Sequence, residues 1–414
     1  MSIESERDRR AAELLADIRD AAGGLEGIAR RTPLEGARWL ADRVGGPVKL
    51  KCENLQRGGS FKIRGAYTRI ARLPESERAR GVVAASAGNH AQGVALAAGL
   101  LRIKATVFMP YGAPIPKENA TRAYGADIRF VGETVDEALA AAQEFASETG
   151  AVFIHPFDHP DIVAGQGTVG LEIAEQLSQA RTVLVSTGGG GLVAGVGAAL
   201  AALGSPARVI GVQAAGAAAF PRSLAAGEPL ALTEMATMAD GIAIGRPGDT
   251  PFELIQNYTD GVVTVSEDSM ARALLLLLER AKLVVEPAGA AAVAALLDQP
   301  DVYEPPVVAV LSGGNVDPVL LMRVIRSGMA AAGRYLWVRV RIPDRPGGLA
   351  TLLGQVAAAK ANVLEIEHER ISASLQLDEV EVALQLETRG PGHRREIVTT
   401  LRDAGYQVSL VAMS

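Results

Sequence analysis

The chain has 414 residues, 48% hydrophobic but only 4% aromatic, so two or three domains must build their cores from Ala, Val, Leu and Ile. Its 41 basic and 47 acidic side chains leave a net charge of −6 with no long basic run, which argues against nucleic acid or an anionic membrane as a partner. The single cysteine, Cys52, excludes an intrachain disulfide framework. With a charged start lacking an apolar h-region and no stretch long enough to span a bilayer, it points to a cytoplasmic protein.

Between about Pro47 and Arg326, short β-branched runs alternate with longer helical patterns. Val82 to Ala84, Ala105 to Met109, Ile128 to Val131, Val152 to Ile154, Val183 to Val185, Val209 to Val212 and Val307 to Leu311 read as buried strands. Helix-length segments such as His90 to Leu101, Val135 to Thr149 and Leu192 to Leu203 lie between them. Apolar strands separated by helices imply an α/β fold with parallel sheet covered on both faces. Ligands in such sheets sit outside the carboxyl ends of the strands, where glycine-rich turns lead into helices. The turns Ser86 to His90, Thr187 to Gly191 and Ser312 to Val316 each occupy that position.

The pattern changes near Ala330 to Gly333. Trp337 to Ile342 alternates as a strand, the turn Asp344 to Gly348 follows, and Leu349 to Lys360 has a helical period. Val363 to Arg370 and Glu379 to Glu387 read as strands, His393 to Ala404 as a helix and Tyr406 to Val411 as a last strand. That βαββαβ order predicts a small ferredoxin-like domain. The boundaries are therefore set at 1–330 and 331–414, with a smaller subdomain at about 57–158 inserted in the first.

Chemistry concentrates in the glycine turns. Lys62 stands in Gly-Gly-Ser-Phe-Lys-Ile-Arg-Gly (Gly58 to Gly65), and a lysine amine can form an imine with an aldehyde and later abstract a proton. Taken alone, a lysine beside a glycine turn is far more often a surface residue, and Ser60, Phe61 and Gly65 shift that reading only through a family resemblance. Gly188, Gly189, Gly190 and Gly191 open a helix, where consecutive N–H groups can cup a phosphate; no Lys-Ser or Lys-Thr follows, so this is not a nucleotide P-loop. Together the amine and the cup fit pyridoxal phosphate. Ser312, after the Val307 to Leu311 strand, can meet a pyridine nitrogen as a neutral partner, or simply form a local turn. Asn89 can bond the cofactor's 3′-oxygen, and Ser86, Ala87, Gly88, Asn89 and His90 form a turn whose N–H groups suit a substrate carboxylate. His90 itself reads as a turn or cap residue and not a base. The remaining histidines show no metal spacing, so no metal site is expected.

Ser60 to Ala66, Ser86 to Gly93, Gly188 to Leu192, Ala239 to Gly241, Glu286 to Gly289 and Ser312 to Asn315 resemble, in order, the threonine dehydratase (threonine ammonia-lyase) branch of the fold type II pyridoxal phosphate enzymes. The C-terminal region, with Ile342 to Gly347, Ala361 to Val363 and Glu367 to Arg370, resembles a single ACT domain. The resemblance implies that Lys62 carries the cofactor as an imine, Phe61 flanks its ring, and Asn89 bonds its 3′-oxygen. It further implies that Gly188 to Leu192 holds the phosphate, with Gly241 nearby, and that Ser312 meets the ring nitrogen. Lys62 and Ser312 are then the catalytic pair. Water leaves the β-carbon of L-threonine, with help from the cofactor phosphate, and 2-oxobutanoate and ammonia result; L-serine is a second substrate. The alternatives are a serine-directed dehydratase and an amino-acid-sensing ACT protein with weak catalysis. Two departures set the chain apart from serine racemases: Ala87 replaces the serine base of the opposite face, and Gln213 to Ala219 lacks the carboxylates that bind a divalent cation there. The ACT resemblance implies either an allosteric module with an amino-acid effector at Gly347, Gly348, Leu349 and Asn362 or a module that only dimerises, a place in isoleucine biosynthesis or threonine catabolism, and a homodimer or homotetramer.

Overall fold

The strand–helix alternation becomes two separate parallel sheets in the computed structural model, which describes residues 3–369 and 378–411. Two units divide the chain, Met1–Leu321 and Met322–Ser414, the division falling inside the helix Pro318–Ala331 and not at the glycine beyond it. The first unit carries β1 (Leu34–Gly36), β2 (Val48–Lys51), β3 (Val82–Ala85), β4 (Ala105–Met109), β5 (Asp127–Phe130), β6 (Val152–Phe153), β7 (Thr182–Ser186), β8 (Arg208–Ala214), β9 (Val262–Val265) and β10 (Val307–Val310). One sheet has the order β1-β2-β10-β7-β8-β9, parallel except for β1 against β2; the other has the order β5-β4-β3-β6 and is parallel throughout.

Both faces of the smaller sheet are covered, as parallel strands without a wet face require. Ile63 and Ile70 of the helix Lys62–Ala71 and Val94 of the helix Asn89–Leu101 pack with Val82, Val107 and Met109 on one side. Ala138 and Ala142 of the helix Val135–Thr149 cover Val83 and Phe108 on the other. That helix was legible to the residue because its ends are chemically marked: Thr134 and Glu137 form a reciprocal capping box, and Gly150 closes it at φ 72°. β5 begins one residue before the sequence-based range because Asp127 already pairs with Thr106. The short β1 has one apolar residue in three and none buried, whereas β9, Val-Val-Thr-Val, is a β-branched run with only Val265 buried.

Few aromatics mean close helix contacts in the larger core. The helices Pro160–Gln176 and Gly191–Ala202 cross where a Cβ on Gly195 would lie 2.5 Å from the Val163 carbonyl oxygen. Across the same contact, Gly167 approaches the Gly195 carbonyl and Gly170 approaches Ala199.

The second unit contains β11 (Tyr335–Pro343), β12 (Asn362–Glu369), β13 (Glu379–Glu387) and β14 (Gln407–Leu410) in the order β12-β13-β11-β14, all neighbours antiparallel. The helices Gly348–Ala358 and Pro391–Asp403 complete the βαββαβ order, burying Leu352, Val356, Ile397 and Leu401 against Val338, Val340, Val382 and Leu384. Arg370, read as the end of a strand, lies outside the described residues.

Because the backbone atoms around Gly195 cannot retreat without separating two core helices, Gly195→Ala should destabilise the first unit by roughly 1–3 kcal/mol. Denaturant unfolding checks this, and an unchanged midpoint would remove the close-crossing account.

Candidate active site

Three glycine turns leave the carboxyl ends of β3, β7 and β10, and specific bonds lace them together. Ser60 bridges Gly313, and Phe61 donates its backbone N–H to the Ser312 carbonyl over 3.2 Å. The Asn315 amide donates to Asn89 Oδ1 (2.9 Å) and to the Gly58 carbonyl (2.6 Å). Asn89 in turn donates from Nδ2 to Glu286 Oε1 at 2.6 Å. Its second amide hydrogen remains for a ligand oxygen. The chain therefore gathers Phe61, Lys62, Asn89 and Ser312 at one place.

The glycine turn joins from the other side. Gly190 takes φ 99° at the start of the helix Gly191–Ala202, a conformation that favours glycine, and a Cβ there would meet Phe220, Ile255 and Pro251. Gly188 lies against Ile242, so the segment with Gly241 borders the turn; Leu192 is buried in the helix's first turn. Lys62 Nζ donates to the Pro156 carbonyl over 2.8 Å, and the next residue, Phe157, packs directly on Gly189 and Gly191. The amine and the phosphate-type cradle thus meet across Pro156 and Phe157. No acidic side chain lies in that helix's first turn, so its unsatisfied N–H groups and positive dipole end face no competing anion there.

Burial sets the charges. It lowers the Lys62 amine to about 8, only partly opposed by Glu286, so a useful fraction is neutral and nucleophilic near neutrality. Burial raises the Glu286 carboxyl to about 7, against the pull of Lys117. Asp240 adds to the rise, while the Asn89 hydrogen bond and Lys62 oppose it. Glu286 Oε2 has no hydrogen-bond partner among the described residues. His90 is buried and held down to about 3 by desolvation, with Lys62 adding to the effect; its Nε2 donates to the Ile154 carbonyl at 2.8 Å, so it is a neutral structural group.

Glu286 was not among the residues singled out for this site. It begins the Glu286 to Gly289 motif, which carries the family resemblance without giving this carboxyl a role; at the start of the helix Pro287–Asp298 it makes no cap bond and turns to Asn89. Pro156 and Phe157 carry no sequence signal at all, because a backbone carbonyl and a packing ring are assigned only by tertiary structure.

In the second unit, Gly347 opens the helix Gly348–Ala358 at φ 87°, with Leu349 in its first turn. Asn362 lines a cleft of about 420 Å³ with Arg334, Lys360, Glu387, Thr388 and Arg389. Pairing of Asn362 and of Tyr335 with Glu387 puts that cleft at one end of the sheet, whereas Pro343 and the following turn lie at the other, about 26 Å away at 3.3 Å per residue. One chain does not bring these candidate effector residues together.

A buried amine, an anion cradle at a helix start and a neutral hydroxyl beside them define a site that fits pyridoxal phosphate, on the fold of the type II enzymes that use it. The family pattern described as "pyridoxal-phosphate dependent enzyme" matches residues 25–313, and the chain belongs to that family. It is 46% identical over 397 residues to an L-threonine ammonia-lyase of Thermotoga maritima, covering 96% of this chain and 99% of the relative. Among solved structures, threonine deaminase isoform 2 of Solanum lycopersicum superposes with a TM-score of 0.74 at 37% identity, covering 77% of this chain and 93% of that one. Maize serine racemase gives 0.71 at 33% identity, covering 76% and 98%.

If burial tunes Lys62, cofactor uptake by the cofactor-free protein should accelerate as pH rises through about 8, where the amine deprotonates, and level off above it. Stopped-flow absorbance of imine formation reads this. A rate still climbing steeply toward the ordinary lysine value would contradict the assignment.

Proposed function

We propose that this protein is a threonine ammonia-lyase that also accepts L-serine. The observation that carries the reading is the buried Lys62 amine lying across Pro156 and Phe157 from the Gly188 to Gly191 cradle. The near full-length likeness to the Thermotoga enzyme supports threonine as the substrate.

When bound, pyridoxal phosphate delocalises the electron pair left when the α-proton departs. Phe61, Asn89 and Ser312 would orient it, and the N–H groups of Gly188 to Leu192 would hold its phosphate, with Gly241 against that turn. The turn Ser86, Ala87, Gly88, Asn89 and His90 receives the amino acid's carboxylate on the N–H groups of Ala87, Asn89 and His90, since the Phe108 carbonyl holds that of Ser86 and Ser86 Oγ that of Gly88. Lys62 Nζ, neutral near its lowered pKa, takes the α-proton. Loss of the β-hydroxyl as water leaves an enamine, which tautomerises and hydrolyses to 2-oxobutanoate and ammonia. Ala87 offers no proton to the opposite face of the α-carbon, which favours elimination over racemisation.

The second unit, under the same proposal, is an ACT-type regulatory domain. Its βαββαβ order supports this, as does the edge strand β12, where Leu364 and Ile366 remain 46% and 40% exposed. A second copy running antiparallel along that edge would bring its Gly347, Gly348 and Leu349 to this chain's Asn362. The effector site then exists only in a dimer or tetramer. Cys52, buried and pushed up to about 12 chiefly by desolvation, suits the reducing cytoplasm.

Incubation with L-threonine should release 2-oxobutanoate, and Lys62→Ala should lower turnover about 10²- to 10⁴-fold while serine left after partial turnover stays in the L form. Full activity in Lys62→Ala, measured as keto acid, would end the assignment. Separately, a chain terminated after Gly333 should keep dehydratase activity but lose any response to branched-chain amino acids. In the full chain that response should shift threonine affinity about 5- to 150-fold. Calorimetry that finds no binding of these amino acids to the full chain would leave the second unit an assembly role only.

A further inference from the structure

The site contains a second buried cation that the proposed chemistry does not use. Lys117, on the helix Ile115–Ala123, is 5% exposed, and its ammonium donates to Asp240 Oδ2. A Cβ on Gly88 would stand 3.8 Å from Lys117 Nζ, so the ammonium lies beside the turn read as the carboxylate seat. Ser86 Oγ, in the same turn, accepts from the Gly88 N–H over 3.0 Å. On the other side, Asp240 precedes Gly241, where a Cβ would lie 3.6 Å from Glu286 Oε1. Glu286 bonds Asn89, which returns to the carboxylate turn. These contacts link Lys117 to the carboxylate turn on one side directly at Gly88 and on the other through Asp240, Gly241, Glu286 and Asn89.

The two partners of the ion pair are unequal. Lys117 is enclosed, whereas the Asp240 side chain is 51% exposed. Asp240 can turn into water at little cost, because its solvation is already half in place, while the buried ammonium would lose its hydrogen-bonded counter-ion and keep only the longer-range attraction of the Glu286 carboxyl. An arriving carboxylate on the Gly88 turn supplies that counter-ion.

We propose that Lys117 is a specificity-determining residue that binds the free carboxylate of the incoming amino acid, and that Asp240 holds the ammonium ready and competes with the substrate for it. The proposal rests on the reading that the Ser86 to His90 turn seats a substrate carboxylate. It selects amino acids with an unblocked carboxylate, since an amide or ester offers the buried ammonium no charge.

The competition predicts changes of opposite sign. Lys117→Met should raise the threonine KM about 10- to 100-fold, with a smaller change in kcat, as expected for loss of a buried charged hydrogen bond. Asp240→Asn should lower KM about 2- to 5-fold, because a half-exposed competitor has been neutralised. Calorimetry of the holoenzyme with L-alanine, which has no β-leaving group, should show the same two signs in Kd. L-threoninamide should bind the wild type and Lys117→Met about equally. If the pair is only a strap between segments, both variants will weaken binding, and the proposal is overturned. Should Lys117→Met fail to fold, the sign of the Asp240→Asn effect decides alone. Opposite-signed alanine affinities in a protein that releases no keto acid from threonine would refute the ammonia-lyase reading and leave this one standing. Threonine turnover with same-signed effects would do the reverse.

Discussion

The geometry around Lys62 depends on Arg64, a fully buried residue two positions further along the same helix. Its guanidinium makes a paired contact with Glu53 (Nε to Oε2 and Nη2 to Oε1, both 2.8 Å) and reaches Glu172 Oε1 at 2.7 Å. Thr168 Oγ1 at 3.0 Å and the Arg30 carbonyl at 3.1 Å take further donors. Burial alone would lower the Arg64 pKa; Glu53 and Glu172 more than reverse that and hold it protonated. Lys51 joins through Glu172, Gln176 and the Thr32 carbonyl. A planar fork satisfied on several sides fixes direction as well as position. Removing one member of such a buried network costs about 3–5 kcal/mol, because the partner charge is stranded. Lys62 therefore leaves an anchored first turn.

The same low-dielectric interior that makes this network rigid makes the reacting groups titratable near neutrality. Lys62 and Glu286 are moved in opposite directions by the same cause, desolvation of the charged form, to about 8 and about 7. The amine and the carboxyl are thereby both close to exchanging a proton, which neither would be at a solvated position. Arg64 differs because it has carboxylates on several sides. Lys62 has a neutral carbonyl, from Pro156, and the attraction of Glu286, which only partly offsets its burial.

Much of the architecture was written locally. Continuous apolar runs marked β3, β4, β7, β8 and β10, and terminal signals at Thr134 and Gly150 marked the helix between them, because strand burial and helix capping depend on near neighbours in the chain. Period-two alternation over Glu379–Glu387 likewise fixed β13, whose alternate residues are buried. The short β1, with no buried residue, left no comparable pattern, whereas β9, Val-Val-Thr-Val, carries a β-branched run of the same kind as β3.

Residue types and spacing offered the amine, the glycine cradle and the turns that hold Asn89 and Ser312 as candidates, and the family resemblance selected Lys62 and Ser312 among them. Residue types could do so because an aldehyde and a phosphate demand particular chemistry wherever the chain folds. Tertiary structure alone decided what faces those groups. Pro156 receives the Lys62 amine from 94 residues away, Glu286 bonds Asn89 across 197, and Asp240 pairs with Lys117 across 123. It also put Gly347 and Asn362 at opposite ends of one sheet, since the helix between them carries the chain back along the sheet before β12 begins. Charge, burial and pKa at the site follow from such long-range meetings, and no local pattern encodes a distance between residues that the chain separates by a hundred others.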